Sequence, residues 1–465
     1  MDLVVSMKKN RVFSLILCLL MLVSCLVPAL AEDTAPEEEA FSVRAKAAML
    51  IDLQTGRVVY EQDADERVYP ASLTKIMTCL LALENGNLSD IVTVGDNAYY
   101  GLDPDSSTAG LIVGEKMTLE NMLYCMMVCS GNEACNVVAA HIAGSVDDFV
   151  RMMNERAYQL GCTGTQFKNP HGLHDPEHFT TARDLSLIAQ AALKSENFKV
   201  IVDTPEYTLP ATNLSPERTI KTTNQLIARN SNNPFYYSKA SGIKTGYTSA
   251  AGRCVISMAE DDDLSFLAIV CGAATSIQEN GDLLMESFPQ CIRLFDYGFD
   301  NFSYVTILSP LYPVAQIAVN NSAGSESVAL APARDIRLLL PVGYDEALVR
   351  TEVSLKADSV DAPVQSGARL GRVRVYYDGE LLGETELAAI ADVAKSDIAA
   401  VNAATGAYIQ QNWWKWIVIA IVGLLAAVVV FWILRMIRRE QRRRRKIAER
   451  RRALEERLHS WNDEV

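Results

Sequence analysis

The sequence predicts an α+β body, then a small all-β domain, then a membrane-spanning helix. Three observations carry this reading. Apolar runs of helical and of strand character both occur between residues 42 and 300. From about Asn301 to Leu387 the chain turns alternating and β-branched, the pattern of strands with one buried face. Trp416 to Leu434 is then 19 residues without a charge, close to the ~20 that cross a bilayer.

Residues 1–31 read as a secretory signal. Lys8, Lys9 and Arg11 precede an apolar run from Val12 to Val27, and Ala29-Leu30-Ala31 fits a small-x-small cleavage site before Glu32. Leu22-Val23-Ser24-Cys25 also resembles a lipoprotein processing box, although the chain stays apolar beyond it. Glu32 to Ala40 is an acidic lead-in.

Residues 42–300 form the α+β body. Ala47 to Leu53 and Arg57 to Glu61 flank Gln54-Thr55-Gly56, which predicts a hairpin. Ser72 to Glu84 predicts an apolar helix stopped by Asn85-Gly86. Leu119 to Val128, Ala134 to Ala143, Ala182 to Leu193 and Glu286 to Asp296 predict further helices. Arg253 to Met258 and Ser265 to Cys271 predict adjacent strands.

Residues 301–387 form the all-β domain, with Asp378-Gly379 as a hairpin turn. Residues 388–412 have no core pattern and read as a linker. A transmembrane helix follows over 413–435, with Trp413, Trp414, Trp416 and Trp432 near its ends, where amphipathic rings favour the interface. The remaining 436–465 form a basic tail.

Charge sorts the chain in the same way. The net formal charge is −14, but residues 435–465 hold 12 Lys+Arg against 6 Asp+Glu, and residues 32–413 hold 27 against 50. The positive-inside rule puts the tail in the cytoplasm and the acidic body outside. An acidic body argues against nucleic acid as a partner.

Eight cysteines lie outside the signal: Cys79, Cys125, Cys129, Cys135, Cys162, Cys254, Cys271 and Cys291. An even count in an exported chain admits disulfides. Four of them, Cys79, Cys125, Cys129 and Cys271, lie in apolar helical or strand patterns, where a free thiol packs as a small hydrophobe. The reading favours free buried thiols. No C-x-x-C pair is present to suggest zinc or redox chemistry.

Three short motifs carry the chemistry. In Ser72-Leu73-Thr74-Lys75 the serine opens a helix and the lysine shares its face three residues on. A buried lysine of lowered pKa can take the proton of a neighbouring hydroxyl. Alone the motif is weak, since Ser72 would also serve as a helix N-cap. Ser130-Gly131-Asn132 lies between two helices, where a loop can aim both side chains into a cleft. In Lys244-Thr245-Gly246 the polar pair suits a carboxylate and the glycine lets a substrate approach the backbone; by itself it reads as a strand start and a turn. The order Ser-x-x-Lys, Ser-x-Asn, Lys-Thr-Gly is that of penicillin-binding proteins and class A β-lactamases.

From about Ala47 to Leu387 the chain resembles the serine D-alanyl-D-alanine carboxypeptidases, the low-molecular-mass penicillin-binding proteins. The resemblance rests on Tyr69 to Lys75, Ser130 to Ala134, Asn169-Pro170-His171-Gly172-Leu173, Thr180 to Asp184 and Gly242 to Gly246. It implies a penicillin-binding-protein/β-lactamase-like catalytic domain with helices packed on an antiparallel sheet. It also implies a mechanism: Ser72 attacks the D-Ala–D-Ala carbonyl with Lys75 as base, giving an acyl-enzyme. Ser130 relays a proton to the leaving D-Ala and Asn132 holds the substrate amide. Lys244 and Thr245 bind the terminal carboxylate. The N–H groups of Ser72 and Tyr247 form the oxyanion hole. The implied partners are a peptidoglycan stem peptide ending in D-Ala–D-Ala, β-lactams as acylating inhibitors, and the membrane. No cofactor is implied.

Two features depart from the family pattern. Many relatives carry His where this chain has Tyr247. The usual anchor is an amphipathic helix lying on the membrane, whereas Trp416 to Leu434 is long enough to span it. His171, His174 and His178 lie beside Asp175 and Glu177. Pro170, Gly172 and Pro176 break any helix there, so the spacing fixes no common face. A polar loop near the cleft is expected rather than a metal site. Three other readings use the same fold: a D,D-endopeptidase, a class A-like β-lactamase, and a wall-binding protein without activity. Class A enzymes carry Ser-Asp-Asn and a deacylating Glu, and no clear Glu-x-x-Leu-Asn match occurs here.

Overall fold

A computed structural model describes residues 41–230, 232–277 and 283–462. The expected signal and the acidic lead-in lie outside these residues. The chain divides into two compact units between Ser303 and Tyr304.

The first unit is built on a five-stranded sheet. Its hairpin β1 (Ala47–Asp52) and β2 (Val58–Gln62) follows the expected turn. Two short antiparallel pairs stand apart from this sheet: β3 (Ile91–Thr93) with β4 (Lys116–Thr118), and β5 (Glu206–Leu209) with β6 (Arg218–Lys221). The sheet is completed by β7 (Ala240–Thr248), β8 (Gly252–Asp261) and β9 (Leu264–Ala273), in the order β2-β1-β9-β8-β7. A last small pair joins β10 (Thr275–Ile277) to β11 (Leu283–Met285).

β1 is buried along its whole length, as expected of a strand covered on both faces. Period-two alternation divides its side chains. Met49 and Ile51, with Leu267 and Ile269 of β9, join the helical core. Leu50 and Phe266 face the other way, against a helix at Ser287–Asn301. A Cβ at Gly298 of that helix would stand 2.8 Å from both side chains.

Around the sheet lie α1 (Lys75–Asn85), α2 (Leu119–Met127), α3 (Asn132–Ala143), α4 (Val146–Gln159), α5 (Ala182–Ala192), α6 (Glu196–Val202) and α7 (Ser287–Asn301). Every residue of α1 from Lys75 to Ala82 is buried, so it is a core helix rather than an amphipathic one. Side-chain caps fix the starts of its neighbours: Thr118, Ser145, Thr181 and Ser195 each accept from the backbone N–H three residues on. The sequence reading did not include α4. Its cap at Ser145 and its buried stripe Phe149, Met153, Ala157 are the signals that identify it.

The second unit holds β12 (Phe302–Leu308), β13 (Ala315–Asn320), β14 (Ser327–Pro332), β15 (Ile336–Pro341), β16 (Val349–Leu355), β17 (Ser359–Asp361), β18 (Arg369–Tyr377) and β19 (Glu380–Ala389). Six of these form a sheet in the order β16-β18-β19-β14-β13-β17, and β12 pairs with β15. Its core includes Ile317, Leu330, Leu338, Val373, Val375 and Leu387. Asp378 (φ 47°) and Gly379 (φ 80°) make the expected tight turn. After β19 comes α8 (Asp397–Asn462), a single helix of 66 residues. Much of the span expected as a linker is therefore helical; good helix formers between Asp397 and Gln411 need no core to continue the apolar run. The most apolar 18-residue window of this helix has a mean hydropathy of 3.2 and no buried residue.

Candidate active site

Ser72 does not cap a helix. It lies in a 3-10 turn, Ala71–Thr74, and the α-helix begins at Lys75. The Ser72 hydroxyl instead faces Lys75, whose Nζ donates to Ser72 Oγ at 2.9 Å. The same Nζ donates to Asn132 Oδ1 at 2.6 Å and to the His171 carbonyl at 2.8 Å. Three acceptors thus hold an ammonium with no exposed surface. Burial is the largest influence on it and lowers its pKa.

The backbone at this turn is held from below. Ala71 takes a left-handed conformation, φ 49°, which costs a non-glycine residue energy unless its surroundings impose it. Gly172 (φ 90°) packs against it so closely that a Cβ there would lie 1.8 Å from the Ala71 carbonyl oxygen. The Ala71 carbonyl accepts from Thr74 Oγ1 at 2.9 Å. Thr74 Oγ1 in turn meets His178 Nε2 at 2.9 Å.

The histidines lie in a loop beside the cleft, as expected, and Gly172 and Leu173 of that loop line it, but two of the three rings are buried. His171 and His178 are 5% and 2% exposed. Burial lowers their pKa values to about 3 and about 4. His178 Nδ1 accepts from the Lys168 N–H at 3.2 Å, so a neutral ring donates through Nε2 to Thr74. His174 packs edge-on against Tyr69. The three rings serve separate contacts, and among the described residues no group of three or more His, Cys, Asp or Glu could hold a metal.

Ser130 stands at φ 64° in the turn before α3, the second strained residue of the site. Asn132 and Glu133 open α3 and are buried. Glu133 Oε1 accepts from Ala109 N (2.6 Å) and Leu111 N (3.3 Å), while the Ser107 carbonyl accepts from Asn132 N (2.9 Å). The start of α3 thereby holds the 105–111 segment against the site. Sequence reasoning missed Glu133, although it sits directly beside Ser130-Gly131-Asn132. Burial raises its pKa.

Lys244, Thr245 and Gly246 fall within β7, not at a strand start and turn. β7 is an edge strand of the sheet, so one side of its backbone has no strand partner. A Cβ at Gly246 would come 3.0 Å from Ser72 N, which brings that edge alongside the serine. Thr245 Oγ1 shares a hydrogen bond with Thr223 Oγ1 at 2.7 Å. Lys244 is 1% exposed, and its Nζ donates to the Thr245 carbonyl at 3.1 Å. Burial first, and the Lys75 charge second, bring its pKa down to about 7.

These elements enclose a cleft of about 330 Å³. Ser72, Ser130, Asn132, Thr245, Gly246 and Tyr247 all line it. Seven of the eight described cysteines are buried and all are free thiols.

Residues 32–275 match the family described as D-alanyl-D-alanine carboxypeptidase. Residues 302–395 match the penicillin-binding protein 5 C-terminal domain. The chain is 32% identical over 392 residues to the D-alanyl-D-alanine carboxypeptidase DacF of Bacillus subtilis (strain 168), covering 83% of this chain and 95% of that protein. It is 30% identical over 367 residues to DacC of Escherichia coli (strain K12), covering 76% and 86%. Among solved structures it is similar to penicillin binding protein 5 from Haemophilus influenzae, with a TM-score of 0.58, 27% identity, and coverage of 76% of this chain and 99% of that one.

Proposed function

The chain belongs to the D-alanyl-D-alanine carboxypeptidase family, peptidase S11, and from that premise we propose which residues carry the reaction. The activity is that of a serine D-alanyl-D-alanine carboxypeptidase working through an acyl-enzyme. Its family implies a peptidoglycan stem peptide as substrate and β-lactams as ligands.

Ser72 is the nucleophile and Lys75 its base. The observation that carries this is the 2.9 Å contact between the fully buried Lys75 Nζ and Ser72 Oγ, which lines the cleft. An ammonium whose charge is disfavoured by burial releases its proton more readily and can then accept the one from Ser72. The N–H groups of Ser72 and Tyr247 receive the developing oxyanion, a role supported by the close passage of β7 at Gly246. The peptide lies along the open edge of β7, extending the sheet by one strand. Asn132 holds the substrate amide, and Ser130 passes the proton to the departing D-Ala. Thr245 contacts the terminal carboxylate, and Lys244 adds positive potential from beneath the strand. Water then cleaves the ester at Ser72.

The membrane span is placed at residues 413–435, with 436–465 in the cytoplasm and the body outside. The supporting observation is the excess of 12 Lys+Arg over 6 Asp+Glu in residues 435–465. Protease added outside sealed, outward-facing vesicles should remove the body and spare the tail.

The test of the site uses the full chain in detergent. Wild type should release D-Ala from an acyl-D-Ala–D-Ala peptide and hold labelled penicillin as a long-lived adduct. Ser72→Ala should do neither. D-Ala release by Ser72→Ala at the wild-type rate would refute the assignment. Rapid penicillin turnover would favour the β-lactamase reading, and cleavage of a cross-linked dimer in preference to the pentapeptide would favour an endopeptidase.

A further inference from the structure

We infer that Arg253 is the residue that selects a free C-terminal carboxylate on the substrate; this rests on the D,D-carboxypeptidase reading of the cleft. The expected substrate ends in a carboxylate, so its binding calls for a cation on the cleft wall. The two lysines of the motifs do not supply an exposed one. Lys75 is committed to Ser72, Asn132 and His171, and Lys244 to the carbonyl of Thr245. Both are within 1% of complete burial. Among the described residues, Arg253 is the one cation that lines the cleft.

Its position follows from the β7–β8 hairpin. Thr248 Oγ1 accepts from Ala251 N at 3.0 Å and Gly252 takes φ 70°, which returns the chain with Arg253 directly opposite Tyr247. The guanidinium carbon then stands 4.1 Å from the Tyr247 ring centroid. Arg253 Nε donates to Thr275 Oγ1 at 3.2 Å. Stacking on one face and a hydrogen bond at Nε hold the planar group in place. The terminal nitrogens have no hydrogen-bond partner among the described residues. They remain as a pre-oriented pair of donors, the arrangement that suits a carboxylate. Tyr247 gains a role through its ring, as the platform beneath Arg253, besides the backbone role proposed for it.

A site built to pair a charged group rejects analogues that lack it. The experiment compares the full-length wild type with Arg253→Gln and Arg253→Lys. One readout is kcat/KM on an acyl-D-Ala–D-Ala peptide. The second is affinity for a boronic acid analogue of acyl-D-Ala, which reacts with the serine but has no terminal carboxylate. Arg253→Gln should lose roughly 30- to 100-fold in kcat/KM and keep boronate affinity within about 3-fold. Arg253→Lys should recover part of the loss, because it keeps the charge without the planar fork. A kcat/KM for Arg253→Gln within about 3-fold of wild type would overturn the inference. So would an equal loss of boronate affinity, which would mark a general disturbance of the site. Wild type that binds the boronate but releases no D-Ala would instead sink the carboxypeptidase reading of the cleft.

Discussion

Thr74 Oγ1 and His178 Nε2 lie 2.9 Å apart and fully buried, joining the turn that carries Ser72 to the 171–178 loop. The contact is one link in a chain. Lys168 N–H donates to His178 Nδ1, His178 Nε2–H to Thr74 Oγ1, and Thr74 Oγ1–H to the Ala71 carbonyl. The first link requires a neutral imidazole, because a protonated Nδ1 would face another donor.

Acid stability should therefore depend on His178. Its pKa falls to about 4 in the folded protein from 6.5. Between these values the unfolded chain binds a proton that the folded one does not, so stability falls as pH drops below 6.5. The loss approaches about 3 kcal/mol by pH 4. His178→Gln should weaken this part of the acid limb while costing some stability at pH 7. Urea unfolding at pH 7 and pH 4.5 checks it; an unchanged slope between them would count against the account.

Lys75 and Lys244 should share the pH profile of catalysis. With Lys75 as the proposed base its active form is neutral, so kcat/KM should rise with pH as Lys75 loses its proton, at lower pH than an ordinary lysine. Lys244, near 7, is lowered partly by the Lys75 charge, and like charges act on each other reciprocally. Lys244→Gln removes a positive neighbour. Lys75 should then keep its proton longer, and the acid limb of kcat/KM should move to higher pH.

Gly172→Ala should be severe. Its methyl would stand 1.8 Å from the Ala71 oxygen, in a conformation of φ 90°. Strain and overpacking together should cost about 3 kcal/mol or more. Thermal unfolding measures that cost, and the rate of penicillin labelling reports whether Ser72 has shifted.

Glu133 should act through the segment that it holds. Oε1 accepts from Ala109 and Leu111, while Oε2 is buried without a hydrogen-bond partner among the described residues. Burial raises its pKa. Stability is then greatest at low pH and declines as pH rises from the ordinary carboxyl value through the raised one. Glu133→Gln keeps one acceptor and should remove that decline. Glu133→Ala leaves two N–H groups without their acceptor and should cost about 2 kcal/mol. It should also raise KM, since Ser107 lines the cleft.

Much of this was legible in the sequence for a physical reason. Apolar runs such as Ile76 to Leu83 and Phe266 to Cys271 identify buried elements by local pattern alone. Asp378-Gly379 fixes a turn because both residues must accept positive φ. Three motifs in order identify the site. What stayed hidden depends on contacts distant in sequence. β1 pairs with β9 across more than 200 residues, and no local signal specifies that. The burial of Lys244, the neutral state of His178 and the stacking of Arg253 on Tyr247 are set by folded neighbours. Helix α4 is a different kind of miss, since its cap and its stripe were present to be read.

The unpartnered edge of β7 has a further consequence. A strand edge proposed to take a peptide is equally open to any extended strand, including one from another copy of the same chain. Recognition of the ligand and resistance to self-association therefore compete for the same few groups.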